Sequence, residues 1–348
     1  MTGLLFQNGI MLKHYPNGLL ETMQRVEHPN WLKTLVALRV ILKRYRPQFA
    51  RALRHASLNV ELSQSEGVPL PKISVLMTVH PKDNMRVGFA IDTLKKYSKN
   101  TIDEFTLVTT DDNIDFLTNF FAEDLRIRIL SEEKSAVWNM IEVLREIGGA
   151  RYGHILQQML KLWHCIESKS DFVLVFDSDT FLTRPTAWVN SESVSGIFPT
   201  FHSSNADNKL VELYPDFVKW NQGECYISHH LVFNRKILKA FLLELGQYAN
   251  ETVTKMATKV DLADIEQPEM FFGLINYARL GHDMSEYDSY SKYAIHNYPT
   301  EVQELRWSNM TLFMEDFEII KEYLSKEGNS PSDKFIKKFR SISVHDHR

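Results

Sequence analysis

Cysteine is scarce in this 348-residue sequence, which also contains no long apolar run. Only Cys165 and Cys225 occur, and neither belongs to a C-x-x-C pair, so a disulfide framework and a cysteine zinc site are both disfavoured. The most apolar N-terminal stretch, residues 35–42, is too short to span a bilayer and contains Arg39. The first residues also lack the charged-then-apolar order of a secretory signal. These absences predict a cytoplasmic protein.

Acidic residues are missing from residues 30–56, where the basic residues are Lys33, Arg39, Lys43, Arg44, Arg46, Arg51 and Arg54. The apolar residues there recur at helical spacing, at Trp31, Leu35, Leu38 and Leu42. One interpretation is a helix that binds an anionic membrane surface, with the protein peripheral at the inner face of the membrane. The other is a helical extension packed on the main domain with a solvated basic face, which suits the narrow apolar stripe. Nucleic acid is not expected as a partner, because no glycine-rich loop or aromatic–basic motif accompanies the charge.

Strand and helix patterns alternate after this basic region. The predicted strands are 72–80, 104–112, 125–133 and 172–176, and the predicted helical segments are 84–100, 114–121 and 136–168. This order predicts an α/β fold, with a Rossmann-like, mostly parallel mixed sheet and helices on both faces. Three regions result: a basic helical extension (1–70), the alternating half (71–182) and a less regular half rich in aromatic and histidine residues (183–348).

Polar residues lie at the carboxyl ends of three of the predicted strands. Parallel sheets bind ligands beyond the carboxyl ends of their strands, so these residues should share one ligand-binding edge. They are Thr78, His80, Asp111, Asp112, Asp177 and Asp179.

The segment DFVLVFDSDTFL (171–182) combines a buried strand with two carboxylates. Alternate side chains of an extended chain point the same way, so Asp177 and Asp179 can face one point. Their oxygens suit a hard divalent cation such as Mg²⁺ or Mn²⁺. A turn that caps a following helix is the alternative. Placement directly after an apolar strand at the ligand edge favours the metal site.

Two enzyme classes place an aspartate pair after a strand. Phosphatases of the haloacid dehalogenase type use hhhhDxDxT after their first strand, but here Phe181 stands at the threonine position and three strands come first. The chain is more similar to nucleotide-sugar glycosyltransferases with an A-type fold, whose D-x-D follows a central strand. That similarity implies a nucleotide-sugar-binding half over 71–182 and an acceptor-binding half over 183–348.

Four motifs carry a more specific resemblance. They are YGHILQQMLKL (152–162), LVFDSDTFLTRP (174–185), YISHHLVFNR (226–235) and SEYDSY (285–290). In this order they resemble a bacterial family of sugar transferases that carries a domain-of-unknown-function label. Its pattern has aromatic residues where this chain has His154 and Ile155, and Glu where it has Asp288. The first 70 residues are not covered.

The resemblance implies roles for residues of the first two motifs. Asp177 and Asp179 would hold Mn²⁺ or Mg²⁺ against the diphosphate of the donor, with Asp179 as the more direct ligand and Asp177 either sharing the metal or contacting the ribose. The cation would stabilise negative charge on the departing nucleoside diphosphate. Gln157, Gln158 and Lys161 would bind the donor, with Lys161 reaching a phosphate. A solvated or capping helix face is the alternative for these three residues.

The later motifs supply the other candidates. Glu286 would be the general base that an inverting transfer needs, with Asp288 as the alternate. Tyr287 and Tyr290 can stack on sugar rings or simply pack. One of His229 and His230 would contact substrate while the other packs. A third metal ligand is expected from a late histidine, with His296 preferred over His345, which is expected in a mobile tail.

Together these features predict a metal-dependent, inverting, hexosyltransferase-like enzyme. It would move a sugar from a nucleotide-sugar donor to a glycan or lipid-linked acceptor in bacterial surface polysaccharide synthesis. Two alternatives remain: a metal-dependent phosphatase or nucleotidyltransferase that uses the same aspartates, and a non-catalytic carbohydrate-binding protein.

Overall fold

The computed structural model describes residues 61–199, 225–260, 268–279, 281, 285–314, 317–318, 321 and 339–345. The basic segment 30–56, and with it most of the predicted helical extension, lies outside these ranges. Residues 61–72 contain a turn but neither helix nor strand.

Helices and strands alternate through the first half of the described chain. In order they are β1 (Ile73–Thr78), α1 (Asn84–Tyr97), β2 (Ile102–Thr109), α2 (Asp111–Phe120), β3 (Ile127–Ser131), α3 (Ile141–Gly148), α4 (Tyr152–Glu167) and β4 (Phe172–Phe176). The second half is more regular than its sequence suggests. It comprises β5 (Thr180–Leu182), β6 (Ser195–Ile197), β7 (His230–Asn234), α5 (Arg235–Gln247), α6 (Glu251–Ala257), α7 (Pro268–Ala278), α8 (Glu286–Asn297), β8 (Val302–Glu304), β9 (Asn309–Phe313) and β10 (Ser341–His345).

The central sheet has five strands in the order β3-β2-β1-β4-β7. The first four are parallel, and β7 pairs antiparallel with β4. Every residue of β1 and β4 is buried, as expected for central strands whose two faces are covered. The predicted α/β fold with a mostly parallel sheet is confirmed, and all four predicted strands are present.

The predicted helical segment 136–168 is not one helix. It consists of a 3₁₀ turn (Ala136–Met140), α3, a second 3₁₀ turn (Gly149–Arg151) and α4. The break falls at Gly149, whose φ of 50° lies in the left-handed region that glycine adopts without strain. α4 therefore starts afresh at Tyr152, and its Gln157, Gln158 and Lys161 are oriented independently of α3.

A second sheet joins the C-terminal part of the chain to the segment after β4. Its order is β5-β10-β9, with β10 antiparallel to β5 and parallel to β9. Ser343 pairs with Thr180, so the strand that contains His345 lies beside the D-x-D segment. The expectation that His345 sits in a mobile tail is wrong, because long-range strand pairing fixes it.

Both halves contribute to one hydrophobic core, which extends from Leu62 to Val344. Around β4 it is rich in aromatic side chains, including Phe176, Trp188 and Phe198. Within the described ranges, none of the helices has the length and apolar character needed to cross a membrane.

Candidate functional site

Asp177 and Asp179 follow β4 at the carboxyl edge of the parallel strands. The Asp177 backbone N–H donates to His229 O at 3.0 Å, which continues the β4–β7 pairing one residue beyond the strand. Between the two aspartates, Ser178 is buried and donates its hydroxyl to Asp83 Oδ2 at 3.0 Å. The side chains of Asp177 and Asp179 keep exposed fractions of 24% and 18%. The expectation of an extended D-x-D is wrong, because residues 178 and 179 form a turn in which the Thr180 backbone N–H donates to the Asp177 carbonyl at 3.0 Å. Both carboxylates are nevertheless partly exposed, while Ser178 is buried.

Two histidines lie against these carboxylates. His229 Nδ1 is 3.4 Å from Asp177 Oδ2, and His345 Nδ1 is 3.4 Å from Asp179 Oδ2. The two imidazole rings contact each other, with centroids 4.8 Å apart, so both aspartates border the same pair of rings. Burial would lower the pKa of His345, but the hydrogen bond and negative charge of Asp179 outweigh it and raise that pKa.

Lys161 lies behind Asp177 and is only 4% exposed. Its Nζ is 2.9 Å from Asp177 Oδ1, 3.1 Å from Glu286 Oε1 and 3.1 Å from the Tyr287 hydroxyl. The Tyr287 hydroxyl also donates to Asp177 Oδ1 at 3.1 Å. Burial would lower the pKa of Lys161, but its neighbours, Asp177 first among them, outweigh burial and raise that pKa. Burial would raise the pKa of Asp177, but the charge of Lys161 and the contact with His229 outweigh burial and lower that pKa.

Helix α4 connects this cluster to β1 and α8. Gln157 donates to the Thr78 hydroxyl at 2.8 Å. Gln158 Oε1 accepts the backbone N–H of Glu286 at 3.2 Å, and its amide nitrogen is 2.6 Å from His154 Nε2. Ser285 caps α8 by accepting from the Asp288 N–H, which sets Glu286 on the first turn. Residues of all four sequence motifs therefore meet at one end of β4.

The expectation that Lys161 reaches a donor phosphate does not fit its contacts. The ammonium group is enclosed by Asp177, Glu286 and Tyr287, and the side chain has almost no exposed surface. Glu286 is part of the same ion pair and is also 4% exposed. In this structure both residues therefore position Asp177 and are not available to a ligand.

Two of the predicted metal and catalytic residues, His296 and Asp288, lie outside this cluster. His296 is exposed on the last turn of α8, ten residues after Glu286, which corresponds to about 15 Å along a helix. His345 takes the position beside Asp179 that was expected of His296. Asp288 is buried, accepts the Tyr226 N–H at 2.8 Å and pairs with Lys292 Nζ at 2.8 Å.

His230 is fully buried among aromatic rings, with Trp307 the nearest at a centroid separation of 4.2 Å. Burial and the neighbouring charge of His229 lower the pKa of His230 to about 3, so it is neutral at physiological pH. Of the adjacent histidines, His229 faces the aspartates and His230 packs. Tyr290 also packs, and its buried hydroxyl accepts the Asn234 N–H at 2.8 Å.

His80, Asp111 and Asp112 follow β1 and β2 at the expected edge and are exposed. His80 Nδ1 accepts the Lys82 N–H at 3.2 Å, and Asp112 accepts from the Thr110 hydroxyl. Within the part of the chain that the structure describes, no hydrogen bond or ion pair joins these three residues to Asp177 or Asp179. They border the site's edge without taking part in its network.

Asp83 and Arg86 belong to the site but were not among the sequence candidates. The two side chains form a buried ion pair, and Arg86 Nη1 also donates to Val344 O at 2.8 Å. Since Asp83 accepts from Ser178, this Asp83–Arg86 clamp joins the D-x-D segment to the strand that carries His345. The available signal was an Asp and an Arg three residues apart directly after a buried strand.

The donor atoms around the aspartates suit a divalent cation. Carboxylate oxygens and imidazole nitrogens are the types that Mn²⁺ accepts, and Asp177, Asp179 and His345 supply them from partly exposed side chains. Among the described residues, however, no group of three or more His, Cys, Asp or Glu side chains has the spacing of a metal site. Instead, Asp177 pairs with His229 and Asp179 pairs with His345. The types of donor atom therefore fit a divalent cation, although these side chains are not arranged as the ligands of one ion.

Comparison with known proteins gives one family and several solved structures. A model for a family described as "Family of unknown function (DUF6492)" matches residues 71–195, the strand–helix half with its D-x-D segment. The motifs after residue 225 lie outside that match. A search of curated proteins found no match.

Three solved structures align with most of this chain at low similarity. Mouse xyloside xylosyltransferase 1 in its apo form aligns with 78% of this chain and 97% of its own, at 12% identity and a TM-score of 0.41. The galactosyltransferase LgtC in complex with donor and acceptor sugar analogues aligns over 78% and 86%, at 11% identity and 0.35. An active-site mutant of LgtC aligns over the same shares, at 10% and 0.36. At these values the similarity supports no conclusion about fold or activity.

Proposed function

We propose that this protein is a metal-dependent glycosyltransferase that transfers a sugar from a nucleotide-sugar donor to a glycan or lipid-linked acceptor. One observation carries the proposal: Asp177 and Asp179 border the same pair of histidine rings at the carboxyl edge of a parallel sheet. This edge is where α/β folds bind nucleotides. Synthesis of a bacterial surface polysaccharide in the cytoplasm, at the inner face of the membrane, is the setting that the family resemblance suggests.

Asp177, Asp179 and His345 would hold Mn²⁺ or Mg²⁺. The cation would stabilise the negative charge that develops on the leaving nucleoside diphosphate. Lys161 and Tyr287 both contact Asp177 Oδ1, which leaves Oδ2 as the oxygen directed toward His229. The buried ion pair thus fixes the orientation of the Asp177 carboxylate before a donor binds.

Glu286 is better suited to positioning Lys161 than to taking a proton. Its Oε1 lies 3.1 Å from Lys161 Nζ, and an acceptor hydroxyl has almost no access to it. The prediction of inversion rested on Glu286 as base. It is tested by following the anomeric proton of the product by NMR: inversion gives the configuration opposite to that of the donor.

The test of the activity is a panel of UDP-, GDP-, CMP- and dTDP-sugars, incubated with the full chain and Mn²⁺ and assayed for release of the nucleotide. We expect turnover of at least one donor, its loss in EDTA, and a fall of about 100-fold in Asp179→Asn, since removing one charge-stabilising group typically costs that much. Asp171→Asn is the matched control, because Asp171 precedes the same strand at its other end and is 82% exposed.

Two results would favour other functions. Hydrolysis of p-nitrophenyl phosphate without any turnover of sugar nucleotides indicates a phosphatase or nucleotidyltransferase. Glycan binding that survives Asp179→Asn, with no turnover of any donor, indicates a carbohydrate-binding protein.

A further inference from the structure

Helices α1 and α2 share an exposed apolar surface. Phe116 and Phe120 stack on each other with ring centroids 5.9 Å apart, and their exposed fractions are 44% and 52%. The Phe120 ring lies over Gly88 of α1, where an added Cβ would be only 2.8 Å from it. Met85 precedes Gly88 by three residues, so it shares that face of α1, and it is 63% exposed. These four residues form one surface, which we call the α1–α2 patch.

Paired amide side chains hold α1 and α2 together beneath the patch. Asn84 Nδ2 donates to Asn113 Oδ1 at 2.7 Å, and Asn113 Nδ2 donates back to Asn84 Oδ1 at 3.0 Å. Single exposed apolar residues are ordinary on a protein surface, whereas a contiguous group of them is typical of a surface that binds a partner. The patch therefore has the character of a preformed binding surface.

Carboxylates without a basic partner surround the patch. They are Asp92, Asp112, Asp115 and Glu123, and all four are exposed. Asp92 follows Gly88 by four residues on α1, and Asp112 precedes Phe116 by four on α2, so each continues a face of the patch. Within the ranges that the structure describes, none of the four pairs with a Lys or Arg side chain. A partner that covers the patch should therefore be both apolar and positively charged.

Residues 30–56 of the same chain have this chemistry. They include seven basic residues and no acidic one, and their apolar residues recur at helical spacing, as at Leu35, Leu38 and Leu42. An amphipathic segment of this kind binds by laying its apolar face on an apolar surface. Its cations would then lie beside the carboxylates around the patch, so the two surfaces are complementary in charge as well as in apolar character.

The described part of the chain begins beside α1. Glu61 Oε2 accepts from Lys99 Nζ at 3.1 Å, and Lys99 comes two residues after the end of α1. Met85 and Gly88 lie near the other end of this helix, which has 14 residues and is about 21 Å long. Residues 30–56 would span about 40 Å as a helix, so they can extend from this entry point along α1 to the patch.

We propose that residues 30–56 bind the α1–α2 patch of their own chain. The apolar residues of the segment cover Met85, Phe116 and Phe120, and its basic residues pair with the surrounding carboxylates. An anionic membrane fits the patch less well, because these carboxylates repel it. The contact does not involve the proposed metal ligands and does not depend on the proposed function.

Carbodiimide cross-linking of the full chain tests this contact, because it joins Lys to Asp or Glu where the two side chains meet directly. We expect links within one chain from Lys33 or Lys43 to the four carboxylates around the patch. Phe116→Asp and Leu38→Asp should each abolish these links, since either puts a charge into the apolar contact. Leu243→Asp, at an α5 residue that is 41% exposed, is the matched control and should keep them.

Near-ultraviolet circular dichroism should stay native in all three variants, and Leu38→Asp tests the contact from outside the described fold. A mixture of isotope-labelled and unlabelled protein separates links within one chain from links between two. Links between copies alone overturn the proposal in favour of a second copy as the partner of the patch. Links that survive both Phe116→Asp and Leu38→Asp also overturn it.

Absence of any link to the four carboxylates overturns the proposal as well. If the chain then co-sediments with phosphatidylglycerol vesicles but not with phosphatidylcholine vesicles, an anionic membrane is the partner of residues 30–56. Asp179→Asn should keep the links, because it changes the proposed metal site and leaves the patch intact. Failure of the proposed function and failure of this contact are therefore distinguished.

Discussion

Lys161 balances two carboxylates in a nearly water-free environment. Its ammonium group lies between the two carboxylates, 2.9 Å from Asp177 Oδ1 and 3.1 Å from Glu286 Oε1. Removing one partner of a buried ion pair leaves the remaining charges without compensation, which is far more costly than losing an exposed pair. The cluster therefore contributes to stability as well as to the geometry of the site.

We expect Lys161→Gln to lower the free energy of unfolding by about 3 kcal/mol, since Asp177 and Glu286 would repel each other. Lys236→Gln is the matched control, because Lys236 pairs with Glu301 at 2.7 Å but is two-thirds exposed. Its stability should stay close to that of the unmodified protein. Urea unfolding followed by circular dichroism measures both. An equal loss in the two variants would show that the Lys161 cluster is not buried as described.

The neutral state of His230 predicts a pH-dependent stability. Its pKa is lowered to about 3 in the fold, against an ordinary value of 6.5, so between these pH values the unfolded chain binds a proton that the folded chain does not. Stability is complete above pH 6.5 and is lost as the pH falls toward 3. Between pH 7.5 and 5 this residue alone accounts for about 2 kcal/mol.

His230→Phe should remove that contribution, because phenylalanine suits the aromatic surroundings of Trp188, Phe198 and Trp307 and does not titrate. Urea unfolding at pH 7.5 and 5.0 should show a smaller acid loss in this variant by about 2 kcal/mol. His296→Gln, at an exposed histidine, should keep the loss of the unmodified protein. The same loss in all three proteins contradicts the assignment.

At the scale of elements, the Asp83–Arg86 clamp connects two segments that are remote in sequence. Asp83 holds Ser178 of the D-x-D segment, while Arg86 holds the carbonyl before His345. Groups of this kind orient metal ligands, and their loss commonly weakens metal binding by about 10- to 100-fold.

On the proposed function, Asp83→Asn should weaken Mn²⁺ binding about 10-fold while the near-ultraviolet circular dichroism stays native. Glu142→Gln is the control, since Glu142 and Arg145 form an exposed ion pair of the same three-residue spacing. Calorimetric titration with Mn²⁺ and a nucleoside diphosphate gives both affinities. If Asp83→Asn binds Mn²⁺ as tightly as Glu142→Gln, the clamp does not position the site.

Helices α5 and α7 approach each other at two glycines. A Cβ on Gly273 would lie 1.9 Å from the Leu242 carbonyl oxygen, and one on Gly246 would lie 2.6 Å from the Glu269 carbonyl oxygen. Both neighbours are backbone atoms of the opposite helix, so the helices must separate if a side chain is added. The close packing requires glycine at these positions.

Gly273→Ala should therefore destabilise the fold by about 3 kcal/mol through overpacking. Gly153→Ala provides the opposite case, because its Cβ would meet no atom within 4 Å and alanine favours the helix α4. That variant should be more stable by up to about 1 kcal/mol. Chemical unfolding measures both changes, and a neutral Gly273→Ala would show that the two helices are not in close contact.

For the whole molecule, the sequence predicts the central sheet well and the second half poorly. The buried strands β1 and β4 have continuous apolar runs, and their alternation with helices predicts a parallel sheet. The break at Gly149 was missed because the helical period continues on both sides of it. Helices α5 to α8 were not distinguished within a half that is rich in aromatic residues.

The candidate site divides in the same way. The sequence predicts D-x-D, the α4 motif and Glu286 as site residues because their types and order are informative. Lys161, however, pairs with Asp177 and Glu286 and does not have the contacts expected of a phosphate-binding residue. His345 was misplaced because β10 pairs with β5 across about 160 residues, a contact that no local pattern encodes. Asp83 and Arg86 escaped notice for a related reason: their partners, Ser178 and Val344, are distant in the chain.

The most direct test of the account is Mn²⁺ binding by the full chain in the presence of each nucleoside diphosphate, followed by electron paramagnetic resonance. The account predicts one nucleotide-dependent Mn²⁺ per chain, weakened at least about 10-fold by Asp179→Ala and by His345→Ala and unchanged by His296→Ala. Binding that is equal in all four proteins, or no binding with any nucleotide, would contradict it.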